Sequence, residues 1–160
     1  MCFKGSEKMS ERIYLTQEGY TSLVKELDYL RKEKRPQVIE ELAYAAELGD
    51  LRENSEYDAV LHTQAIVEGR IIDLEHILDH AKVIEHISTP KVGLGSRVKV
   101  LIDGDEEEYM IVSSYETDVH QNKISSKSLI GASLLNKKIG DKVTIDNENG
   151  VYTMTIINIS

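Results

Sequence analysis

The chain has no tryptophan and a single phenylalanine, Phe3, and aromatic residues make up only 6% of its 160 residues. A large aromatic-lined ligand pocket is therefore not expected. One cysteine, Cys2, excludes an intramolecular disulfide. No apolar run approaches the roughly 18 to 20 residues that cross a bilayer, and the opening residues MCFKGSEKMS lack the apolar stretch of a signal peptide. The expectation is a cytoplasmic protein with no membrane contact. Positive charge is also scarce: the formal net charge is −9. An acidic field repels phosphate, so broad nucleic-acid binding is excluded, and any such contact must be local or arranged by a partner. There is no glycine-rich phosphate loop and no G-x-S-x-G, so nothing indicates a self-contained active site.

What is present falls into two halves with different periods, separated near residues 86–95, where Pro90, Gly93 and Gly95 punctuate the chain. The expected domains are residues 10–86, an antiparallel coiled-coil hairpin, and residues 91–160. In the first, Tyr57, Val60, Gln64, Val67, Ile71, Leu74, Leu78 and Ala81 recur at alternating steps of three and four, a heptad seam with one polar member. A preceding helix is expected after Thr16, an N-cap residue type. Its seam runs through Tyr20, Leu23, Leu27 and Leu30 and resumes at Val38, Leu42 and Ala45. Lys34 interrupts it and Pro36 follows, so a bend is expected near Arg35. Between the two seams lie Gly49, suited to a helix C-terminus, and Asp50 and Asn54, either of which suits the cap of a returning helix. So short a connection makes the helices antiparallel neighbours. The alternative for a lone heptad pattern is pairing between chains; two seams of matching length favour a monomer.

Residues 97–102 and 108–115 read as a hairpin around Asp103-Gly104-Asp105, and residues 142–145 and 151–159 as a second. Residues 126–136 place Ile130, Ser133 and Leu134 at helical spacing. The fold class expected is α+β: a helical hairpin, then an antiparallel sheet packed on one short helix.

Asp50 and Glu53 stand three apart at the turn, so at the start of a helix they share a face. Two carboxylates are half a magnesium site, because Mg²⁺ wants six oxygens and is commonly held by one or two carboxylates plus phosphates. Glu47 and Glu56 are the nearest further acids. Helix capping and compensation of the helix dipole account for the pair as simply. Arg52, between them, suits a phosphate, as do Lys32, Lys34 and Arg35, whose plainer role is a solvated charged face. His76 and His80 have chelating i, i+4 spacing but no evident third ligand.

The run GDLRENSEYDAV at residues 49–60, with EGRIIDLEHIL at 68–78, resembles the bacterial Gre-family transcript cleavage factors, closest to the GreA type. LTQEGYTSLVKELDYLRKEKRPQVIEEL upstream and ISSKSLIGASLLNKKIGDKV downstream are similar to the same family, so the resemblance covers nearly all of the chain after about residue 10. It implies an FKBP-like second domain, residues 91–160, that docks at the mouth of the secondary channel of bacterial RNA polymerase. It implies that the coiled coil enters that channel. Asp50 and Glu53 match the family's tip acids, which help hold a second Mg²⁺ jointly with the polymerase while the polymerase hydrolyses the backtracked nascent RNA 3′ end. By the same resemblance Arg52, Arg35 and Lys34 are candidates to contact RNA or polymerase, and Ser128, Leu129 and Ile130 belong to the docking segment. The chain is then a stimulator of the polymerase's own nuclease, not an enzyme. One departure stands out: the family usually has Ser-Pro where this chain has Ser128-Leu129, which removes a preset φ. Residues 1–9 have no clear counterpart.

Three other readings predict different behaviour. A non-catalytic secondary-channel inhibitor on the same scaffold slows synthesis without shortening the transcript. A prolyl isomerase needs an aromatic pocket, and residues 96–160 offer only Tyr109, Tyr115 and Tyr152. A coiled-coil scaffold without a metal role is indifferent to mutation of the tip.

Overall fold

The computed structural model describes residues 12–49, 54–85 and 89–160. These form two compact units. One comprises Tyr20–Ala81; the other comprises Ile13–Gly19 together with Lys82–Ser160.

The first unit is an antiparallel helical hairpin. Its outgoing arm is α1 (Gln17–Tyr29), a π-helical turn (Leu30–Lys34) and α2 (Arg35–Glu47). Its returning arm is α3, Ser55–His80. Leu23, Leu27, Val38 and Ala45 are buried on the outgoing arm, and Val67, Ile71, Leu74 and Ile77 on the returning one. Each fully buried aliphatic side chain of this kind contributes roughly 1.5–3 kcal/mol, which makes the seam the main force closing the hairpin.

The π turn resolves an irregularity in the outgoing seam. Continued in strict heptad steps from Leu30, the stripe falls on Lys34, then Gln37 and Glu41, whereas the apolar residues stand one position later, at Val38 and Leu42. A π turn holds about one residue more than an α turn. The backbone N–H of Arg35 donates to the carbonyl of Leu30, five residues back, and this wider turn absorbs the extra residue. Pro36 follows within the first two positions of α2, where its missing N–H matters least. The bend expected near Arg35 takes the form of this π turn.

Three ion pairs flank the seam. Glu26 and Arg70 each precede a buried seam residue and pair at 2.6 Å. Arg31 and Glu75 each follow a seam residue and pair on the other flank. Arg35 holds Glu68 with both ends of its guanidinium, Nε to Oε1 at 2.6 Å and Nη2 to Oε2 at 2.5 Å.

The second unit begins with β1 (Ile13–Thr16), which pairs with β2 (Ala81–Ile84) in a two-stranded sheet. A five-stranded sheet follows, built from β3 (Arg97–Ile102), β4 (Asp105–Val112), β5 (Lys123–Ser125), β6 (Lys142–Asn147) and β7 (Gly150–Ile159), in the order β5-β4-β3-β7-β6. The turn between β3 and β4 is the expected one: Asp103 and Gly104 both take positive φ, 51° and 96°, which a two-residue hairpin turn requires. Alternate strand residues point inward, so Val98 and Val100, Val143 and Ile145, and Met154 and Ile156 form one core with Ile111 and Leu134.

The sheet is antiparallel as expected except at its edge, where the three-residue β5 runs parallel to β4, Met110 opposite Lys123 and Val112 opposite Ser125. Residues 113–122 carry the chain back for this, through a 3₁₀ turn at Val119–Gln121. The short helix α4 is Leu129–Leu134, narrower than residues 126–136. Among the described residues, no helix is long and apolar enough to cross a membrane.

Candidate functional site

The acids that carry the strongest chemical expectation, Asp50 and Glu53, and the intervening Arg52, lie outside the described residues. What is described is how the two helix ends that bracket them are held. The carbonyl of Ala45, in the last turn of α2, accepts from the N–H of Leu48 at 3.3 Å. It also accepts from Nδ2 of Asn54 at 2.6 Å. The same side chain caps α3: Oδ1 of Asn54 accepts from the N–H of Tyr57 at 3.1 Å, and the Asn54 carbonyl receives the N–H of Asp58. A carbonyl can only accept and an N–H can only donate, so the orientation of the Asn54 amide is fixed by its partners. Of the two residue types offered as caps at the sequence level, Asn54 fills the role. Its second bond, across to α2, has no sequence signature. Gly49 has φ +156°, and a Cβ there would meet nothing within 4 Å.

Charge around this end is acidic. Glu47 and Glu56 are both exposed, and Glu56 and Asp58 occupy the first turn of α3, where carboxylates are favoured by the helix dipole. The donor chemistry suits a hard cation: carboxylate oxygens are what Mg²⁺ takes, and too few are at hand here to fill six positions. No cluster of three or more His, Cys, Asp or Glu gathers among the described residues.

The basic candidates separate. Arg35 is engaged in the bidentate pair with Glu68, which raises its own pKa, chiefly through that hydrogen bond, and lowers that of Glu68 for the same reason. Its guanidinium is thus first a brace between the arms. Lys34 is half-buried at the last position of the π turn. His76 and His80 stack with ring centroids 4.4 Å apart, and Nδ1 of His80 donates to the His76 carbonyl at 2.8 Å, so that nitrogen is taken.

The docking candidates sit together at the start of α4. Ser128 is its N-cap: Oγ accepts from the N–H of Gly131 at 3.1 Å and donates to the Ser125 carbonyl at 2.7 Å. Ile130 packs against the sheet core. Leu129 is 53% exposed. Leu129 is thus the member of the three that offers apolar surface, while Ser128 and Ile130 hold the turn in place. The helix forms without the family's proline because the serine cap is intact.

One constellation left no sequence signal. Glu116, from the connection after β4, reaches the first turn of α1. Its carboxylate accepts from the backbone N–H of Thr16 at 3.1 Å and from the Thr16 hydroxyl, while Thr16 Oγ1 caps the N–H of Gly19 at 3.1 Å. A Cβ on Gly19 would fall 1.7 Å from Oε1 of Glu116. The glycine is there because the carboxylate is.

Comparison with known proteins agrees with this architecture. Residues 13–83 match the family described as "Transcription elongation factor, N-terminal", and residues 87–160 the one described as "Transcription elongation factor, GreA/GreB, C-term". The chain is 45% identical over 155 residues to "Transcription elongation factor GreA" of Thermoanaerobacter pseudethanolicus, covering 94% of this chain and 99% of that protein. It is 44% identical over 154 residues to the protein of the same description from Bacillus subtilis, covering 94% and 98%. Among solved structures it is similar to the GreA factor homolog 1 (Gfh1) protein of Thermus thermophilus, at 30% identity, TM-score 0.45, covering 94% of this chain and 99% of that one. Two family matches that together span nearly all of the described chain, and relatives of this identity and coverage, place it: the chain belongs to the GreA/GreB family of transcription elongation factors.

Proposed function

We propose that this chain binds bacterial RNA polymerase through the secondary channel and stimulates the polymerase's intrinsic cleavage of backtracked RNA. The observation that carries this reading is the hairpin. Two helices are zipped along one apolar seam, braced by three ion pairs and stitched at their ends by Asn54, with Asp50 and Glu53 in the four residues that connect them. α3 alone, at 26 residues, runs about 39 Å at 1.5 Å per residue, a length suited to a deep, narrow channel.

A pair of carboxylates is a weak magnesium site alone and a sufficient contribution beside ligands supplied by another macromolecule. In this reading Asp50 and Glu53 supply oxygens to a Mg²⁺ held jointly with the polymerase, where such an ion stabilises charge on the oxygens being exchanged. The polymerase provides the remaining ligands and the basic surroundings for RNA, which this acidic chain lacks. The catalyst is the polymerase, and the chain is its cofactor protein. Leu129, exposed at the start of α4, is the docking contact the second unit offers.

The test is a transcript-cleavage assay on a backtracked elongation complex. Wild-type protein accelerates release of the RNA 3′ segment and leaves naked RNA intact. Asp50→Ala and Glu53→Ala each remove the acceleration while still binding polymerase. Full stimulation by the double variant overturns the reading, and slowed synthesis with no shortening of the transcript replaces it with a channel blocker.

A further inference from the structure

Resting on that reading, we infer that Asn54 is a positioning residue for the cleavage reaction, acting through the clamp it makes from the first turn of α3 to the last turn of α2. The side chain is half-buried and makes two bonds of different kinds. The acceptor bond to the N–H of Tyr57 is an ordinary helix cap and serves α3 alone. The donor bond to the Ala45 carbonyl, at 2.6 Å the shorter of the two, crosses nine residues of sequence and serves no helix of its own. A cap is satisfied by Ser, Thr or Asp as well. Of these only Asn adds a planar N–H₂ donor at the distance needed to reach a second backbone.

The seam does not do this work. The last buried residue of α2 is Ala45 and the first of α3 is Val67, so the stretch of α3 nearest the connection has no fully buried side chain. Tyr57, Val60 and Gln64 are all half-buried. Packing alone therefore leaves the two helix ends loosely registered, and Asn54 supplies a directional bond there instead. Glu53 is its immediate neighbour in the chain. Transition-state stabilisation by a carboxylate pair depends on placement to within a fraction of an ångström, and an error of about 1 Å can lower a rate by two orders of magnitude.

The experiment separates clamp from cap. Asn54→Ser keeps an oxygen able to accept from Tyr57 and is too short to reach Ala45; Asn54→Asp keeps the acceptor and removes the donor. Full-length variants are titrated into backtracked elongation complexes, and the maximal cleavage rate and half-saturating concentration are read separately, with helix content and melting temperature alongside and Asp50→Ala as control. Both variants are expected to keep wild-type half-saturation and folding while the maximal rate falls roughly tenfold. Wild-type maximal rates in either folded variant, with Asp50→Ala inactive, overturn the inference and leave the cleavage reading standing. A raised half-saturating concentration at unchanged maximal rate also overturns it, because the residue then serves docking. Full activity of Asp50→Ala removes the cleavage reading and the inference together.

Discussion

Arg35, the first residue after the π turn, grips the carboxylate of Glu68 on the opposite arm at 2.6 and 2.5 Å through two parallel N–H donors. The pair lowers the pKa of Glu68 from the ordinary glutamate value, first through that hydrogen bond and then through the charge of Arg35, against a smaller opposing effect of desolvation. A carboxylate held below its unfolded value contributes stability that is complete above the unfolded pKa and is lost as pH falls through the folded one. Melting temperatures of wild type and Glu68→Gln are expected to differ at neutral pH and to converge as the buffer is taken below the ordinary glutamate range. A gap that persists at the acid end contradicts the assignment.

Tyr109 gives the opposite sign. Burial first, and then the hydrogen bond its hydroxyl donates to Glu107, raise its pKa well above that of free tyrosine. The neutral form is favoured in the fold, so this contribution is present below the unfolded value of about 10 and declines as pH rises above it. Ultraviolet titration should show one tyrosine whose ionisation lags the others, and Tyr109→Phe should remove that laggard.

Gly19 and Glu116 predict a change of sign. Alanine is favoured over glycine inside a helix by about 1 kcal/mol. In wild type, Gly19→Ala puts a methyl where the Glu116 carboxylate sits and breaks its two bonds to Thr16, a loss of about 1–3 kcal/mol. In a Glu116→Ala background the same substitution should stabilise by about 0.5–1 kcal/mol. Equilibrium unfolding of the four proteins in a double-mutant cycle gives the answer; additivity refutes the contact.

Leu129→Pro is expected to be accepted. Position 129 is the first of α4, where a missing N–H is harmless, and Ser128 has φ −68° and ψ 161°, the extended backbone a following proline requires. Reduced freedom of the unfolded chain should raise stability by about 0.4–1 kcal/mol. By contrast Gly131→Ala brings a Cβ to 2.0 Å from the Ser125 carbonyl oxygen, and crowding against backbone should cost about 1–3 kcal/mol. Thermal melts of the two variants should move in opposite directions.

Sequence reading succeeded where one period persisted. Leu23, Leu27, Val67, Ile71 and Leu74 are buried as their spacing requires. Near the base of α3 the phase drifts, because 3.6 residues per turn does not match a strict heptad: Ile77 is buried, Leu78 is half-buried, and Ala81 begins β2 instead of closing the seam. Strands β1, β2 and β5 went unseen since three or four residues carry too little alternation to stand out beside a helix pattern. Asn54 was readable as a cap and not as a clamp, because the partner carbonyl on Ala45 is backbone and leaves no trace in residue type. Glu116 was unreadable for the reason that its partners, Thr16 and Gly19, lie a hundred positions away. The tip acids were legible only through family resemblance.

The π turn at Leu30–Lys34 has a consequence for how such a hairpin tolerates insertions and deletions. An extra residue in a plain helix swings everything beyond it by about 100° and would turn Val38 and Ala45 out to water. A widened turn swallows that residue locally, so axial length and angular phase can be adjusted separately, as a vernier adjusts one scale against another. Removing a single residue between positions 31 and 33 should convert the turn to ordinary α-helix and draw the far end in by about 1.5 Å. The same greasy stripe would still face α3.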